Sequence, residues 1–220
     1  LAFASLANGA SFRIGDSGNI AGKSVRYLLR DLGSAAPLKK TLALAALNAL
    51  GRACFDKIRA DYDVKFGADP FDELRIERGS FSVVVGALVP YIKTLMKNGA
   101  DFKILELDKS TLKQAELPFY LPASEAASVV PRADNVIITA TTLINDTLDG
   151  LLRLKKSGAK LVLVGPTTPL LPRALFERGV DFAGGTLVRD ADAVLDIIAQ
   201  AGSGYHFLGK FADKITICKG

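Results

Sequence analysis

Between Thr139 and Thr147 the chain carries Thr139, Thr141, Thr142, Asn145, Asp146 and Thr147. Hydroxyls and carboxamides at this density suit the oxygens of an anionic or polar ligand, most of all beside a helix N-terminus with unpaired N–H groups. A single helix cap would use Asn145 or Thr142 and leave the others unexplained. A second cluster, Gly165-Pro166-Thr167-Thr168-Pro169, sets two hydroxyls between two prolines that fix the backbone. It reads equally as a ligand loop or as a rigid turn. Gly86 closes an apolar run, and Glu106 follows twenty positions later. That is the interval between the glycine turn and the ribose-binding acid of a dinucleotide fold. The remainder of that fingerprint is missing. Ala87, Leu88, Val89 and Pro90 follow Gly86, and Leu88 stands where a second glycine would let pyrophosphate approach. Pro90 fits only a helix's first turn. Another polar ligand at this turn is the better expectation, with Glu106 contacting a hydroxyl or amine.

Other chemical motifs are weaker. Gly18-Asn19-Ile20-Ala21-Gly22-Lys23-Ser24 resembles a phosphate loop but has three residues between its glycines, where the motif needs four. It reads as a flexible turn from which Asp16 and Ser17 face a ligand. His206 is the only histidine, and no G-x-S-x-G elbow accompanies it. It is expected at the surface or in a cap. Cys54 and Cys218 are far apart and outside any zinc spacing. A metal must then arrive bound to a ligand or be held by oxygen donors. Two distant cysteines and no secretory signal before the first element point to a reducing cytoplasm. The chain opens at Leu1 with no Met, as expected of a sequence whose native start lies upstream.

These residues need elements to hold them in place. Apolar, β-branched runs occur at 80–85, 102–107, 135–139, 160–164 and 181–184. Helical stretches separate them at 91–97, 123–130, 145–157 and 172–178, and a last one follows at 191–201. Short apolar strands alternating with helices imply a parallel sheet covered on both faces. Right-handed crossovers make it a doubly wound, Rossmann-like α/β domain over residues 79–220. Residues 1–78 read as a smaller α+β domain. Its strands at 1–7 and 11–14 join at Asn8-Gly9, and a glycine-rich turn spans 15–22. A helix at 24–31 stops at Gly33, and Pro37 opens an Ala/Leu-rich helix through Ala53. Asn48 is the polar exception in that helix and must be bonded or face a cleft. Residues 56–78 read as the linker, with a short helix at 70–74.

Composition closes off several function classes. Of 220 residues, 49% are apolar and 23% charged, and mean hydropathy is +0.25, which excludes a disordered chain. No apolar stretch approaches the roughly 18 residues of a membrane span; the longest, 83–92, is broken by Gly86 and Pro90. The net charge of +5 is spread out, with 12 basic against 9 acidic residues through Ser80 and 16 against 14 beyond it. A nucleic-acid binder concentrates its cations, so no nucleic-acid partner is expected.

The segments Leu44–Leu50, Val85–Pro90, Glu106, Ile138–Thr147, Gly165–Leu170 and Gly179–Asp181 together resemble a bacterial and archaeal family labelled putative heavy-metal chelation. The resemblance spans about Gly22 to Ala201, with more residues usual before the first strand. It implies an enolase N-terminal-like domain followed by a Rossmann-like domain. It also implies a ligand cleft between them that handles a heavy metal or a metal chelate. The sequence has no soft-ligand cluster, so a chelate or polar metabolite is expected rather than a bare ion. The residues expected to line the cleft are Asn48, Gly86, Pro90, Glu106, Thr139, Thr142, Asn145, Gly165 and Thr167. Two other classes stay open: a nucleotide- or adenosylmethionine-dependent enzyme with Glu106 on the ribose, and a non-catalytic regulatory module, as a homodimer.

Overall fold

Side-chain alternation along five short strands builds the core. In the strand Phe81–Val85, Val83 and Val85 enter one buried cluster and Val84 another. The same split recurs in Asn135–Thr139, where Val136 and Ile138 oppose Ile137. In Lys160–Val164, Leu161 and Leu163 oppose Val162 and Val164. Period-two strands that are apolar on both faces must be covered on both faces. The computed structural model describes residues 1–3 and 14–219, and among them it shows this arrangement as one eight-stranded sheet.

The strands are β1 (Asp63–Phe66), β2 (Phe81–Val85), β3 (Asp101–Glu106), β4 (Tyr120–Pro122), β5 (Asn135–Thr139), β6 (Lys160–Val164), β7 (Phe182–Val188) and β8 (Ala212–Cys218). Their order is β1-β8-β7-β6-β5-β2-β3-β4. β2 to β7 are mutually parallel, while β8 and β1 add an antiparallel edge. Counted one to six, the parallel strands run 3-2-1-4-5-6, the order of dinucleotide-binding folds. The fold is therefore mixed α/β with a mostly parallel sheet, as expected.

Helices divide between the faces. Among the described residues they are α1 (Val25–Leu29), α2 (Pro37–Ala53), α3 (Phe55–Asp61), α4 (Pro70–Glu73), α5 (Val89–Lys97), α6 (Ala126–Val129), α7 (Leu148–Leu154), α8 (Arg173–Glu177), α9 (Ala191–Ala199) and α10 (Gly204–Phe207). α5 buries Ile92 and Leu95 against Val84, Ile104, Ile137 and Val162. On the other face α6, α7 and α8 bury Val129, Leu148, Leu151, Leu175 and Phe176 against Val83, Leu105, Val136 and Leu161. No helix among the described residues is long and apolar enough to cross a membrane.

Several elements differ from expectation. The stretch 56–78 is more than a linker: it completes α3, supplies β1 and carries α4, the expected short helix. β1 lies before residue 78 and pairs with β8, Asp63 opposite Cys218, so both parts of the chain contribute to one sheet. β4 and β8 were not among the five expected strands. The helix expected from Asn145 starts at Leu148, because Asp146 takes a left-handed backbone conformation with φ 60°. The strands expected at 1–7 and 11–14 and their Asn8-Gly9 turn fall almost wholly outside the described residues; Leu1–Phe3 are not a strand.

One close approach locks β7 to α4. A Cβ placed on Gly184 would stand 2.2 Å from Cγ of Pro70 and 3.0 Å from its Cδ. Gly184→Ala is expected to lower unfolding free energy by about 1–3 kcal/mol, as other overpacked cores do. Adding Pro70→Ala should restore part of the loss, since the two sites touch. Urea unfolding of the single and double variants checks this.

Candidate functional site

The connections out of β2 and β5 leave the sheet on opposite faces, α5 on one and α7 on the other. A crevice must open beyond the carboxyl ends of those two strands. Gly86 stands there with φ +99°, donating its N–H to the Leu105 carbonyl at 2.9 Å. A Cβ on Gly86 would come within 2.7 Å of Thr139 Cγ2, so only glycine lets the two strand ends close up this far.

A cavity of about 610 Å³ opens at this point. Buried Val85, Leu105 and Leu151, with Ala127 and Leu154, supply its apolar wall. Glu106, Ser124, Thr139, Thr142, Asn145, Asp146, Thr147 and Arg153 supply polar groups. An apolar body with a few convergent polar groups is the usual composition of a small-molecule site.

The polar groups are already oriented. Glu106 Oε1 accepts from the backbone N–H of Leu107 at 2.7 Å and of Asp108 at 3.1 Å. Oε2 has no protein partner among the described residues and is left for a ligand. Thr142 is buried, and its hydroxyl donates to the Thr139 carbonyl at 2.7 Å, which leaves it only an acceptor role. The hydroxyls of Thr139 and Thr141 share a hydrogen bond of 3.1 Å. Asn145 Oδ1 accepts from Thr147 Oγ1 at 2.7 Å and from Thr147 N at 3.3 Å, so the carboxamide nitrogen is its remaining donor. Asp146 is held from behind by Lys40 of α2, whose Nζ bonds both carboxylate oxygens. Arg153 borders the cavity and pairs with no carboxylate among the described residues.

Five of the nine expected residues thus meet at one cavity: Gly86, Glu106, Thr139, Thr142 and Asn145. The other four do not line it. Pro90 occupies the first turn of α5 and is exposed there. Asn48 borders a different pocket, with Leu1, Arg52 and Leu170, and its amide is spent on backbone groups. Its Nδ2 donates to the Leu1 carbonyl at 2.9 Å and to the Pro166 carbonyl at 3.2 Å, and its Oδ1 accepts from Leu170 N at 3.0 Å. Thr167 is buried, its Oγ1 accepting from Phe3 N at 2.9 Å. Gly165 donates its N–H to Gly184. The 165–170 loop is therefore the rigid turn of the two readings, clamped to α2 and to Leu1–Phe3. The cavity lies wholly among residues 85–154 and is not a cleft between the two parts of the chain. The two parts instead border a separate, mainly apolar pocket of about 530 Å³, lined by Leu1, Asn48, Arg52, Leu170, Val188 and Leu195. Asp16 and Ser17 are also spent locally, on Tyr27 and Ile14. His206 caps α10, accepting at Nδ1 from Ser203 N.

The family-level expectation of a metal can be tested on donors. Among the described residues no group of three or more His, Cys, Asp or Glu side chains gathers as a metal would require. The cavity offers hard oxygen donors, with Asp146 already paired to an ammonium. Burial pushes the Cys218 thiol up, away from the thiolate that binds soft metals. These residues do not fit a bare heavy-metal ion. Apolar wall, lysine and arginine went unnoticed in the sequence; Lys40 stands beside Lys39 at the start of α2, and nothing in the sequence singles out one as buried.

Comparison with known proteins agrees with this architecture. Two family models, both described as putative heavy-metal chelation, match residues 69–217 and 1–51, the first being DUF364. A protein of unknown function from the DUF364 family of Desulfitobacterium hafniense is 26% identical, with a TM-score of 0.76 over 96% of this chain and 80% of that one. A second DUF364 protein of unknown function, from Pyrococcus horikoshii, has the same fold at 22% identity, with a TM-score of 0.78 over 98% and 81%. An uncharacterized protein of Methanocaldococcus jannaschii is 31% identical over 179 residues, 78% of this chain. The chain spans 63% of that relative's length.

The Asn48 clamp has a measurable consequence. Asn48→Ala leaves the Pro166 carbonyl and Leu170 N–H buried without partners, for an expected loss of about 2–3 kcal/mol in unfolding free energy. Asn48→Asp should do no better, because it sets a carboxylate oxygen against two carbonyls. Thermal and urea unfolding distinguish this clamp from a ligand-facing amide, whose loss would leave stability nearly unchanged.

Proposed function

The chain belongs to the DUF364 family, described as putative heavy-metal chelation, and from that premise we propose that its switch-point cavity binds a small organic molecule bearing an anionic or polar end. A metal chelate is the form of that ligand which reconciles the family description with this donor set. The observation that carries the reading is the pairing of a buried apolar wall (Val85, Leu105, Leu151) with oriented, partly unused polar groups on Glu106 and Asn145. A bare ion has no use for the apolar wall, and an organic scaffold does. Oxygen and amide groups that recognise a chelate need not displace its own metal ligands. The reading is one of recognition, and no bond-making step is assigned to any residue.

A second reading is supported by one specific feature. Glu106 ends the strand beside the switch point, where an acid in dinucleotide folds holds a ribose, and its Oε2 is unspent. A nucleoside-bearing cofactor such as adenosylmethionine would use that oxygen. A full dinucleotide is opposed by Leu88, which stands where the second glycine would let pyrophosphate approach.

Protein purified without added chelators should release an organic molecule on denaturation, identified by mass spectrometry and then titrated by calorimetry. Glu106→Gln and Asn145→Ala should each weaken its binding about tenfold, equal to ~1.4 kcal/mol. Leu151→Trp, which fills the cavity, should abolish binding. Unchanged affinity in all three variants would contradict the assignment. Thermal stabilisation by adenosylmethionine, lost in Glu106→Ala, would favour the second reading.

A further inference from the structure

We propose that Asp146 is an internal stand-in for the ligand's anionic group, and that Lys40 is the cation for which the two compete. The inference rests on the reading of the cavity as a ligand site and deepens it by naming the ligand's chemistry: a carboxylate or phosphate end. The Lys40 side chain is 4% exposed, whereas that of Asp146 is 72% exposed. A buried ammonium must keep a counter-charge, because desolvation penalises it whichever anion supplies that charge. Asp146 is its only carboxylate partner among the described residues, and both carboxylate oxygens bond Nζ. The two residues are therefore unequal: Lys40 cannot leave, and Asp146 is already largely in water.

Asp146 also has a left-handed backbone. Its φ of 60° lies in the left-handed region that L-residues other than asparagine and aspartate rarely visit. The residue interrupts what would otherwise be a helix beginning at Asn145. In this conformation its carboxylate meets Lys40. Asp146 lies on the cavity wall beside Asn145 and Thr147, whose side chains bond each other and so do not depend on it. A ligand oxyanion entering the cavity takes over the contact with Nζ, Asp146 turns into solvent, and the charge at Lys40 stays balanced. The exchange explains why a cation from α2 lies directly behind a cavity built wholly from the other part of the chain.

The probes are inorganic phosphate and citrate, titrated by calorimetry against sodium chloride at matched ionic strength. Asp146→Asn keeps the shape and the left-handed preference of the residue while removing its charge. It should bind at least one of the two probes ten or more times more tightly than the wild type. Lys40→Gln in the Asp146→Asn background should erase that gain. The stronger probe tells a phosphate end from a carboxylate end. Equal affinity in wild type and Asp146→Asn, or a gain that survives Lys40→Gln, overturns the proposal. Should Asp146→Asn be too unstable to purify, refolding it with and without each probe reads the same competition: recovery that needs the anion supports it, and equal recovery overturns it. Leu151→Trp separates the two levels of inference. A tightened binding that persists with Leu151→Trp upholds the Lys40 site while removing the cavity reading, whereas a cavity ligand indifferent to Asp146→Asn does the reverse.

Discussion

Everything at the site follows from one topological constraint: parallel neighbours β2 and β5 send their chains to opposite faces of the sheet. Two right-handed crossovers starting side by side in opposite directions cannot both cover the gap between them. The gap is narrowed from below by a contact between backbone and side chain, Gly86 against Thr139, which no residue with a Cβ could permit. What remains above is bounded by the ends of β3 and β5 and by α6 and α7. The polar character of the cavity then depends on which residues terminate those strands, and these are Glu106, Thr139 and the loop through Thr147.

A second layer of contacts ties the first 53 residues to this framework. Asn48 satisfies one carbonyl and one N–H across more than a hundred residues of chain, and the Leu1 carbonyl besides, and Gly51 packs so closely that a Cβ there would lie 2.8 Å from Leu170 Cβ. Through these bonds α2 is fixed, and with it the position of Lys40. The N-terminal part thus contributes to the cavity indirectly, by presenting a cation to Asp146 rather than by forming a wall. This arrangement couples the loop at 145–147 to α2 through a single ion pair.

The strands of the core were legible as short, continuous apolar and β-branched runs, such as Val83, Val84 and Val85, which suit a strand buried on both faces. β8 was not, since Asp213 and Lys214 interrupt its first half and its apolar alternation begins only at Ile215. β1 and β4 are four and three residues long, too short for any period to register. At the site, Gly86, Glu106 and the threonine-rich loop could be placed together because strand order alone brings them there. Asn48 and Thr167 were misplaced for a physical reason. Their partners are backbone groups of distant segments, and a side chain's type does not reveal whether a ligand or a carbonyl will satisfy it. The ion pair of Asp146 was hidden in the same way, since its partner is a lysine 106 positions away.

The central claim is that an organic anion, not a bare metal ion, fills the cavity at the switch point. A crystal structure of the protein purified from cell extract without chelators tests it most directly, with anomalous scattering used to find any metal. The account predicts continuous density for an organic ligand over Leu105 and Leu151, its polar end at Glu106 and Asn145, and any metal carried on that ligand. An isolated anomalous peak bound only by protein side chains, with water alone in the cavity, would contradict it.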